Sequence, residues 1–212
     1  MNNGRQRQRS GNFLVILLAS AVLCGFIFEK HIDNFFPMEE GRKFEYSYTR
    51  AKDNAIIEKA AVTVTNNPKR TWEQKTVMPR TYEKLNDKKE KQVHTVFFHN
   101  DGEGIMMVAF QGEKDGQPKA LPHKLAYLRS PLKVGNRWGG GDDPQGVIDS
   151  LSDKVAVPAG TFDGCIKVKL TYPSNLPVQE AFLWFAENVG VVKSLHRYRD
   201  GSREEFELKA VK

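Results

Sequence analysis

The chain has 212 residues, of which 27% are charged and 40% are hydrophobic, and its formal net charge is +6. This length accommodates one domain and a short additional segment, and a domain of about 175 residues buries enough surface to fold without a metal or a disulfide. Residues 35–212 carry 28 basic and 24 acidic side chains of alternating sign, a net charge of +4. Because these charges form no basic stripe with interleaved aromatic residues, the composition argues against nucleic acid as a partner.

Residues 1–34 combine a basic leader, an uncharged apolar segment and a short connector. Three arginines precede the sixteen uncharged residues 13–28, an order typical of a secretory signal or a signal anchor. A helix of sixteen residues rises about 24 Å, short of the roughly 30 Å hydrocarbon core, so flanking residues must contribute to the span. The positive-inside rule predicts a cytoplasmic leader, with residues 35–212 across the membrane.

Three fates of the apolar segment stay open. Retention gives a single-pass anchor in a bacterial inner membrane, with the N-terminus cytoplasmic and the domain periplasmic. Cleavage after Ala21, where Ala19 and Ala21 supply the small residues of a signal-peptidase site, gives a secreted domain. Lipidation of Cys24 gives a lipid-anchored protein, although Leu23 departs from the small residue expected before such a cysteine. All three fates predict an extracytoplasmic domain, and retention makes the membrane a partner through the N-terminal helix.

The remainder of the chain shows the period-two alternation of half-buried strands. Phe44, Tyr46 and Tyr48 alternate with charged and small residues, and turn-forming residues recur about every ten positions. The single short helix that this part favours lies at residues 119–130. We predict a mainly β fold, with a single curved antiparallel sheet or barrel-like β-domain over residues 35–212, preceded by one N-terminal membrane helix.

Two turn-and-strand units share the order proline, apolar residue, two residues, glycine, two residues, aromatic residue. They lie at residues 37–44 and 131–138. Each fits a turn that begins with proline and in which glycine adopts a positive φ before a strand starts. The pattern predicts either two half-repeats, starting at positions 37 and 131, or convergence on one kind of turn.

The strand predicted at residues 160–172 carries the single cysteine of the domain. Its apolar residues Ile166 and Val168 share one face. The alternation puts Cys165 on the opposite face with the lysines, unless a bulge at Gly164 turns it inward. The other cysteine lies in the apolar N-terminal segment, so no disulfide is expected within the domain.

The sequence shows no recognisable pattern for catalysis or metal binding. The histidines lack ligand spacing, and Asp142, Asp143, Asp149 and Asp153 lack the spacing of a calcium loop. No serine lies in a G-x-S-x-G elbow, and Cys165 has no histidine near it in the sequence. We therefore expect no enzyme activity, no metal and no cofactor, and an envelope hydrolase stays as an alternative without a motif.

The aromatic residues of the predicted strands either fill the core or line an apolar cleft inside a curved sheet. Such a cleft accommodates an acyl chain or a lipidated peptide. The candidates for its lining are Tyr46, Trp72, Trp138, Phe162 and Trp184.

Several motifs resemble those of uncharacterised bacterial envelope proteins. Residues 131–138 contain G-x-x-W, residues 157–165 match V-P-A-G-T-F-x-x-C, and residues 183–194 contain W-[FY]-A-x-x-V-G-x-V-K. The F-P-x-x-x-G opening of that group is present at residues 36–41, and the resemblance covers most of residues 35–198. It implies a lipoprotein or signal-anchored β-domain with a curved or barrel-like sheet, related in architecture to half-barrel lipoprotein carriers, and it implies no reaction.

Together these observations predict a membrane-tethered, non-catalytic envelope domain that binds an apolar ligand, a lipid or an envelope protein. The alternative is a structural or assembly subunit of a membrane complex, acting through a strand edge or a basic face.

Overall fold

The computed structural model describes residues 31–212, which contain one short helix and thirteen strands. The predicted membrane segment at residues 13–28 lies outside this range. Within the described range, no helix has the length and apolar character needed to cross a bilayer. The elements are α1 (Ile32–Phe35), β1 (Lys43–Lys52), β2 (Ala55–Asn66), β3 (Arg70–Trp72), β4 (Lys75–Asn86), β5 (Lys91–Asn100), β6 (Gly104–Gly112), β7 (Lys119–Arg129), β8 (Arg137–Gly140), β9 (Asp143–Val157), β10 (Gly160–Thr171), β11 (Val178–Ala186), β12 (Gly190–Tyr198) and β13 (Arg203–Val211).

The strands form one antiparallel sheet that curls into a nearly closed barrel. Neighbouring strands follow the order β7-β6-β5-β4-β2-β1-β13-β12-β11-β10-β9-β8, and β3 pairs with β4 beside this path. At the centre β1 pairs with β13, with Tyr46 opposite Leu208, so the meander β1–β7 is joined to the meander β8–β13. The predicted mainly β, barrel-like fold is therefore confirmed for the described residues.

The edge strands β7 and β8 approach each other along a seam that a side chain bridges. Nε1 of Trp138 on β8 donates a 3.0 Å hydrogen bond to the carbonyl oxygen of Ala126 on β7. The indole lies against Gly146 on β9, where a Cβ would fall 2.1 Å from the ring. At the same seam the amide of Lys124 donates to Oδ1 of Asp143 at 2.9 Å. Glycine at position 146 therefore lets Trp138 reach across the gap.

The two turn-and-strand units predicted from the sequence have the same backbone geometry. Gly41 has φ +78° and Gly135 has φ +83°. In the first unit the amide of Gly41 donates to the carbonyl oxygen of Asn66, and the amide of Asn66 donates to the carbonyl oxygen of Arg42. In the second unit Gly135, Ile148 and Asn136 form the same pair of backbone hydrogen bonds. The duplication itself stays a prediction.

The short helix predicted at residues 119–130 is wrong, because this segment forms the edge strand Lys119–Arg129. Pro122 lies where the β6–β7 ladder is interrupted, a position that proline tolerates on an edge strand. Leu125 and Leu128 are buried in the core. Pairing with β6 and burial of these leucines outweigh the local preference of the segment.

The predicted position of Cys165 on the polar face of its strand is wrong, and the bulge alternative is confirmed. Gly164 has φ +69°, and the β9–β10 register shifts between Phe162 and Cys165. Cys165 is fully buried, with its Sγ 3.6 Å from the carbonyl oxygen of Phe162. The extra residue of the bulge turns the thiol into the core.

One end of the barrel, here called the closed end, is covered by α1 and the residue after it. Phe35 and Phe36 are buried among core side chains, and the ring centroids of Phe36 and Phe98 are 4.9 Å apart. The amide of Asn188, in the β11–β12 turn, donates to the carbonyl oxygen of Asn34 at 2.6 Å. The opposite end, formed by the β1–β2, β4–β5 and β12–β13 turns, is called the mouth.

Replacing Gly146 by alanine is expected to lower the free energy of unfolding by about 1–3 kcal/mol, because the added methyl displaces the indole of Trp138. For a domain of this size the melting temperature is expected to fall by roughly 2–12 °C. Circular dichroism on heating measures the change. The control is Gly116→Ala, whose Cβ meets no atom within 4 Å and which is expected to leave melting unchanged. Equal melting temperatures in the two variants would contradict this role of Gly146.

Candidate functional site

A partly open cavity of about 350 Å³ lies inside the curved sheet, between the closed end and the mouth. This volume lies within the range of roughly 300–1,000 Å³ that is typical of ligand pockets. Its wall consists of inward-facing positions of β1, β2, β4–β7 and β11–β13. The apolar part of the wall includes Tyr46, Val62, Val64, Val96, Leu183 and Phe206.

Arg80, on β4, lies at the closed end of this cavity and is only 5% exposed. Its Nε donates a 2.7 Å hydrogen bond to Oδ1 of Asn66, and its Nη2 lies 3.3 Å from the carbonyl oxygen of Pro37. Its Cζ is 4.2 Å from the ring centroid of Phe36, and two further phenylalanine rings lie at 5.4 Å. Arg80 forms no ion pair with any carboxylate of residues 31–212, so its charge is balanced only by dipoles and aromatic faces.

Asn66 connects Arg80 to the chain that covers the closed end. This asparagine is fully buried, and its Nδ2 donates to the carbonyl oxygens of Glu39 at 2.9 Å and of Pro37 at 3.4 Å. Both the arginine and the asparagine therefore bind the backbone that follows α1. Asn66 is the last residue of β2, so this strand positions the side-chain amide at the closed end.

Three tyrosines surround the guanidinium side of the cavity. Burial raises the pKa of Tyr46, Tyr82 and Tyr127, and the positive charge of Arg80 partly opposes each rise. The phenols are therefore protonated at neutral pH. Tyr46 uses its hydroxyl to donate a 2.8 Å hydrogen bond to the carbonyl oxygen of Val191.

The charged side chains nearer the mouth have partners of opposite charge. Lys84 Nζ lies 3.0 Å from Oε1 of Glu58, and Nε of Arg50 lies 3.8 Å from Oε1 of Glu204. Lys84 and Glu204 both line the cavity. Among the cations of the cavity wall, Arg80 thus differs from Lys84 in lacking a carboxylate partner.

Two histidines also line the cavity. Burial lowers the pKa of His94, and the charge of Lys84 lowers it further. Burial lowers the pKa of His196, and the charge of Glu204 opposes this effect. The His94 ring stacks on Tyr82 with centroids 5.0 Å apart. Both imidazoles are therefore predominantly neutral at pH 7.

Ser194, His196 and Glu204 share one part of the cavity wall. Positions 194 and 196 lie on the same face of β12, and His196 is opposite Glu204 on β13. These residue types form nucleophile–base–acid arrays when hydrogen bonds connect them. In the described structure no hydrogen bond joins Ser194 to His196 or His196 to Glu204, and Glu204 instead accepts one from Tyr198 at 2.7 Å. The contacts that activate a nucleophile are not made.

Of the five residues predicted to line an apolar cleft, Tyr46 lies on the cavity wall. The other four lie outside it. Trp72 packs on a small core cluster of β4, β5 and β6, and Trp138 bridges the seam. Phe162 packs on the core cluster around β1 and β2, and Nε1 of Trp184 donates to a carboxylate on β9 at 2.9 Å.

The sequence reasoning missed Arg80, although the sequence contains a signal for it. Met78, Arg80, Tyr82 and Lys84 alternate along β4, and Met78 and Arg80 are both buried. A cation that shares the inward face of a strand with apolar residues must either be paired or serve a site. Assigning the two faces of β4 from its alternation would have identified the residue.

A larger groove of about 840 Å³ lies outside the closed end, beside α1. Its lining mixes Asp33 and Glu39 with Arg42 and Lys69. Arg42 already pairs with Glu39 at 2.9 Å. The mixed charges give this groove no preference for an anion or a cation.

Three of the four clustered aspartates make contacts other than those of a calcium loop. Asp143 accepts the amide of Lys124, Asp153 accepts the indole of Trp184, and Lys167 Nζ lies 3.8 Å from Asp149. Within residues 31–212, no three side chains of His, Cys, Asp or Glu come together as metal ligands. The expected lack of metal and cofactor stays a prediction.

Comparison with known proteins finds similarity in structure only. No family model and no curated protein matches the chain. A candidate lipoprotein from Parabacteroides distasonis ATCC 8503 has a TM-score of 0.51 at 15% identity, with 84% of this chain and 98% of that chain covered. A candidate exported protein with a YmcC-like fold from Bacteroides fragilis has a TM-score of 0.45 at 15% identity, with 84% and 98% covered.

A β-barrel-like protein with a domain of unknown function, from Brucella abortus, has a TM-score of 0.44 at 11% identity, with 81% of this chain and 97% of that chain covered. At such identities the likeness concerns the fold. The resemblance to uncharacterised envelope β-domains inferred from the motifs is confirmed at that level.

Lowering the pH from 7 to 5 is expected to destabilise the folded domain through His94 and His196. Their pKa values are lowered from 6.5 in the folded state. The unfolded chain therefore binds protons first as the pH falls through 6.5, and stability decreases. Carboxylates whose pKa is lowered on folding, such as Glu180 and Asp200, have ordinary values of 4.5 and 3.8. Their contribution is lost mainly below this window.

A His94→Phe variant is expected to weaken this pH dependence, because it keeps an aromatic ring against Tyr82 and removes one titrating group. Thermal melting at pH 7, 6 and 5 measures the effect. If the variant and the original chain lose stability equally between pH 7 and 5, His94 does not contribute as described.

Proposed function

We propose that residues 35–212 are a non-catalytic binding domain that holds an apolar molecule inside the barrel. The observation that carries this proposal is the internal cavity of about 350 Å³, whose wall is largely aliphatic and aromatic and reaches Lys84 and Glu204 near the mouth. Burial of apolar surface supplies about 25 cal/mol per Å². A ligand with a hydrocarbon part therefore gains affinity along most of this wall.

The location proposed for the domain is the outer side of a bacterial inner membrane. The basic leader and the uncharged residues 13–28 support this location. The matched structure described as a candidate lipoprotein is consistent with it. We propose retention of the segment as an anchor, with cleavage and lipidation of Cys24 as the competing outcomes.

The two alternative functions have less support. An assembly subunit that acts through a free strand edge needs an open edge, whereas Trp138 joins the edge strands β7 and β8. A hydrolase needs an activated nucleophile, whereas no hydrogen bond connects Ser194 with His196 in the described structure. A lipid-binding or apolar-ligand function requires only the cavity.

Filling the cavity is expected to block ligand uptake. Val64→Phe adds a ring to a cavity-lining position, at an overpacking cost of about 1–3 kcal/mol. We expect it to reduce labelling of the chain by a photoreactive long-chain lipid at least five-fold. Mass spectrometry of membranes that contain the full chain measures the labelling.

The matched control for this variant is Thr63→Phe, one residue earlier on the outward face of β2. It is expected to label like the original chain. Equal labelling of both variants and the original chain would show that the lipid does not enter the cavity, and would contradict the proposal.

The N-terminal mass of the mature protein tests the proposed anchor. Retention predicts the mass of the full chain, while cleavage after Ala21 removes 21 residues and lipidation of Cys24 adds acyl groups to a shortened chain. Protease added to spheroplasts is expected to digest residues 35–212. Protection of the domain in intact spheroplasts would contradict an extracytoplasmic location.

A further inference from the structure

The uncompensated charge of Arg80 indicates the chemistry of the ligand. A buried charge without a counter-ion costs several kcal/mol, which a partner of opposite charge offsets. In the described structure Arg80 donates to Asn66 Oδ1 and to the carbonyl oxygen of Pro37, and it forms no ion pair with a carboxylate. Neither acceptor carries a net charge.

The aromatic rings around Arg80 compensate its charge only in part. The Phe36 ring at 4.2 Å gives a cation–π contact worth about 2 kcal/mol when desolvated. The guanidinium carries five N–H donors, arranged to bind a carboxylate through two parallel hydrogen bonds. Arg80 donates to Asn66 and Pro37 through its Nε and Nη2, and the Tyr82 hydroxyl also forms a hydrogen bond with its side chain. All of these partners are neutral, so none of them offsets the net charge of the guanidinium.

The position of Arg80 determines the direction in which such a ligand would lie. The residue lines the cavity at the closed end, next to Phe36, while the apolar wall continues toward the mouth. Near the mouth Lys84 is paired with Glu58, and Glu204, which lies 3.8 Å from Arg50, places a carboxylate on the cavity wall. An anionic group is therefore favoured at the closed end and disfavoured beside Glu204.

We propose that the cavity binds an amphiphile with one negative charge, a long-chain carboxylate, with the carboxylate on Arg80 and the hydrocarbon chain directed toward the mouth. This inference rests on the proposed apolar-binding function and specifies its ligand class. A single guanidinium balances a single carboxylate. A phosphate monoester carries about −1.5 to −2 charges at pH 7 and would leave part of its charge unbalanced against the surrounding phenylalanine rings.

Protonated tyrosines complete the environment of the carboxylate. Tyr82 and Tyr127 line the same part of the cavity, and burial keeps both phenols protonated at neutral pH. Each hydroxyl can donate a hydrogen bond to a carboxylate oxygen. On the cavity side the closed end thus offers one cation, Arg80, and neutral donors, and no carboxylate of residues 31–212 lines that part of the cavity.

Photolabelling of the full chain in phosphatidylcholine nanodiscs tests the inference. Three probes share one C16 chain with a diazirine and differ in the head group: a carboxylic acid, the corresponding alcohol and the monoalkyl phosphate. Adducts are mapped to peptides of residues 31–212 by mass spectrometry. At pH 7.5 we expect the acid to label cavity peptides at least ten-fold more than the alcohol and more than the phosphate.

Variants of Arg80 give a second readout. Arg80→Gln is expected to reduce the acid-to-alcohol ratio to about one, whereas Arg80→Lys retains a preference for the acid. The control Lys59→Gln, which removes an exposed cation of β2 outside the cavity lining, is expected to leave the ratio within two-fold. Because Arg80 also holds the closed end, circular dichroism checks the fold of each variant. The comparison of probes on the original chain decides the question if a variant does not fold.

The possible results separate the two proposals. Equal labelling by acid and alcohol within the cavity overturns the carboxylate assignment and leaves the apolar-binding function standing. Stronger labelling by the phosphate overturns the assignment in favour of a phosphoryl head group. No labelling of cavity peptides by any probe overturns the proposed function itself.

Discussion

The guanidinium of Arg80 is the interaction on which the closed end of this barrel depends. It lies between three phenylalanine rings and binds Asn66 and the backbone at Pro37. A buried hydrogen bond that involves a charged group contributes about 1.5–3 kcal/mol. Removing the arginine would therefore release the chain after α1 and also leave Asn66 without its partner. The same side chain forms the base of the cavity, so the stability of the closed end and the chemistry of the interior are linked.

Closure along the seam between β7 and β8 depends on a hydrogen bond from a side chain rather than on a buried charge. Here two edge strands do not complete a ladder, and a single indole donates across the gap to Ala126. That geometry needs a residue without a side chain at position 146. A strand edge with unpaired backbone groups is a template for association with other chains. The bridge by Trp138 therefore covers part of the gap between the two edge strands, at a place outside the cavity wall.

Much of the fold could be predicted from the sequence, because period-two alternation and turn residues are local signals. Residues such as Phe44 and Tyr46 define an inward face without knowledge of their partners. The predictions failed where contacts between residues far apart in the sequence determine the structure. β7 is a strand because it pairs with β6, and Trp138 serves the seam because Gly146 lies opposite in space. For the candidate site, alternation identified Tyr46, whereas Arg80 was missed because the two faces of β4 were not assigned. That Arg80 has no carboxylate partner is visible only once the neighbouring strands are in place.

The short helix α1 at the closed end also constrains how a ligand could be exchanged. Three residues, 29–31, separate the apolar segment 13–28 from Ile32, and three extended residues span about 10 Å. If that segment is retained in a bilayer, the closed end is held against the membrane surface and the mouth faces the aqueous compartment. A molecule could then not diffuse directly from the anchoring leaflet into the barrel. Loading and unloading of the proposed ligand would instead require transfer through water or from another protein, on the side of the domain that faces away from the membrane.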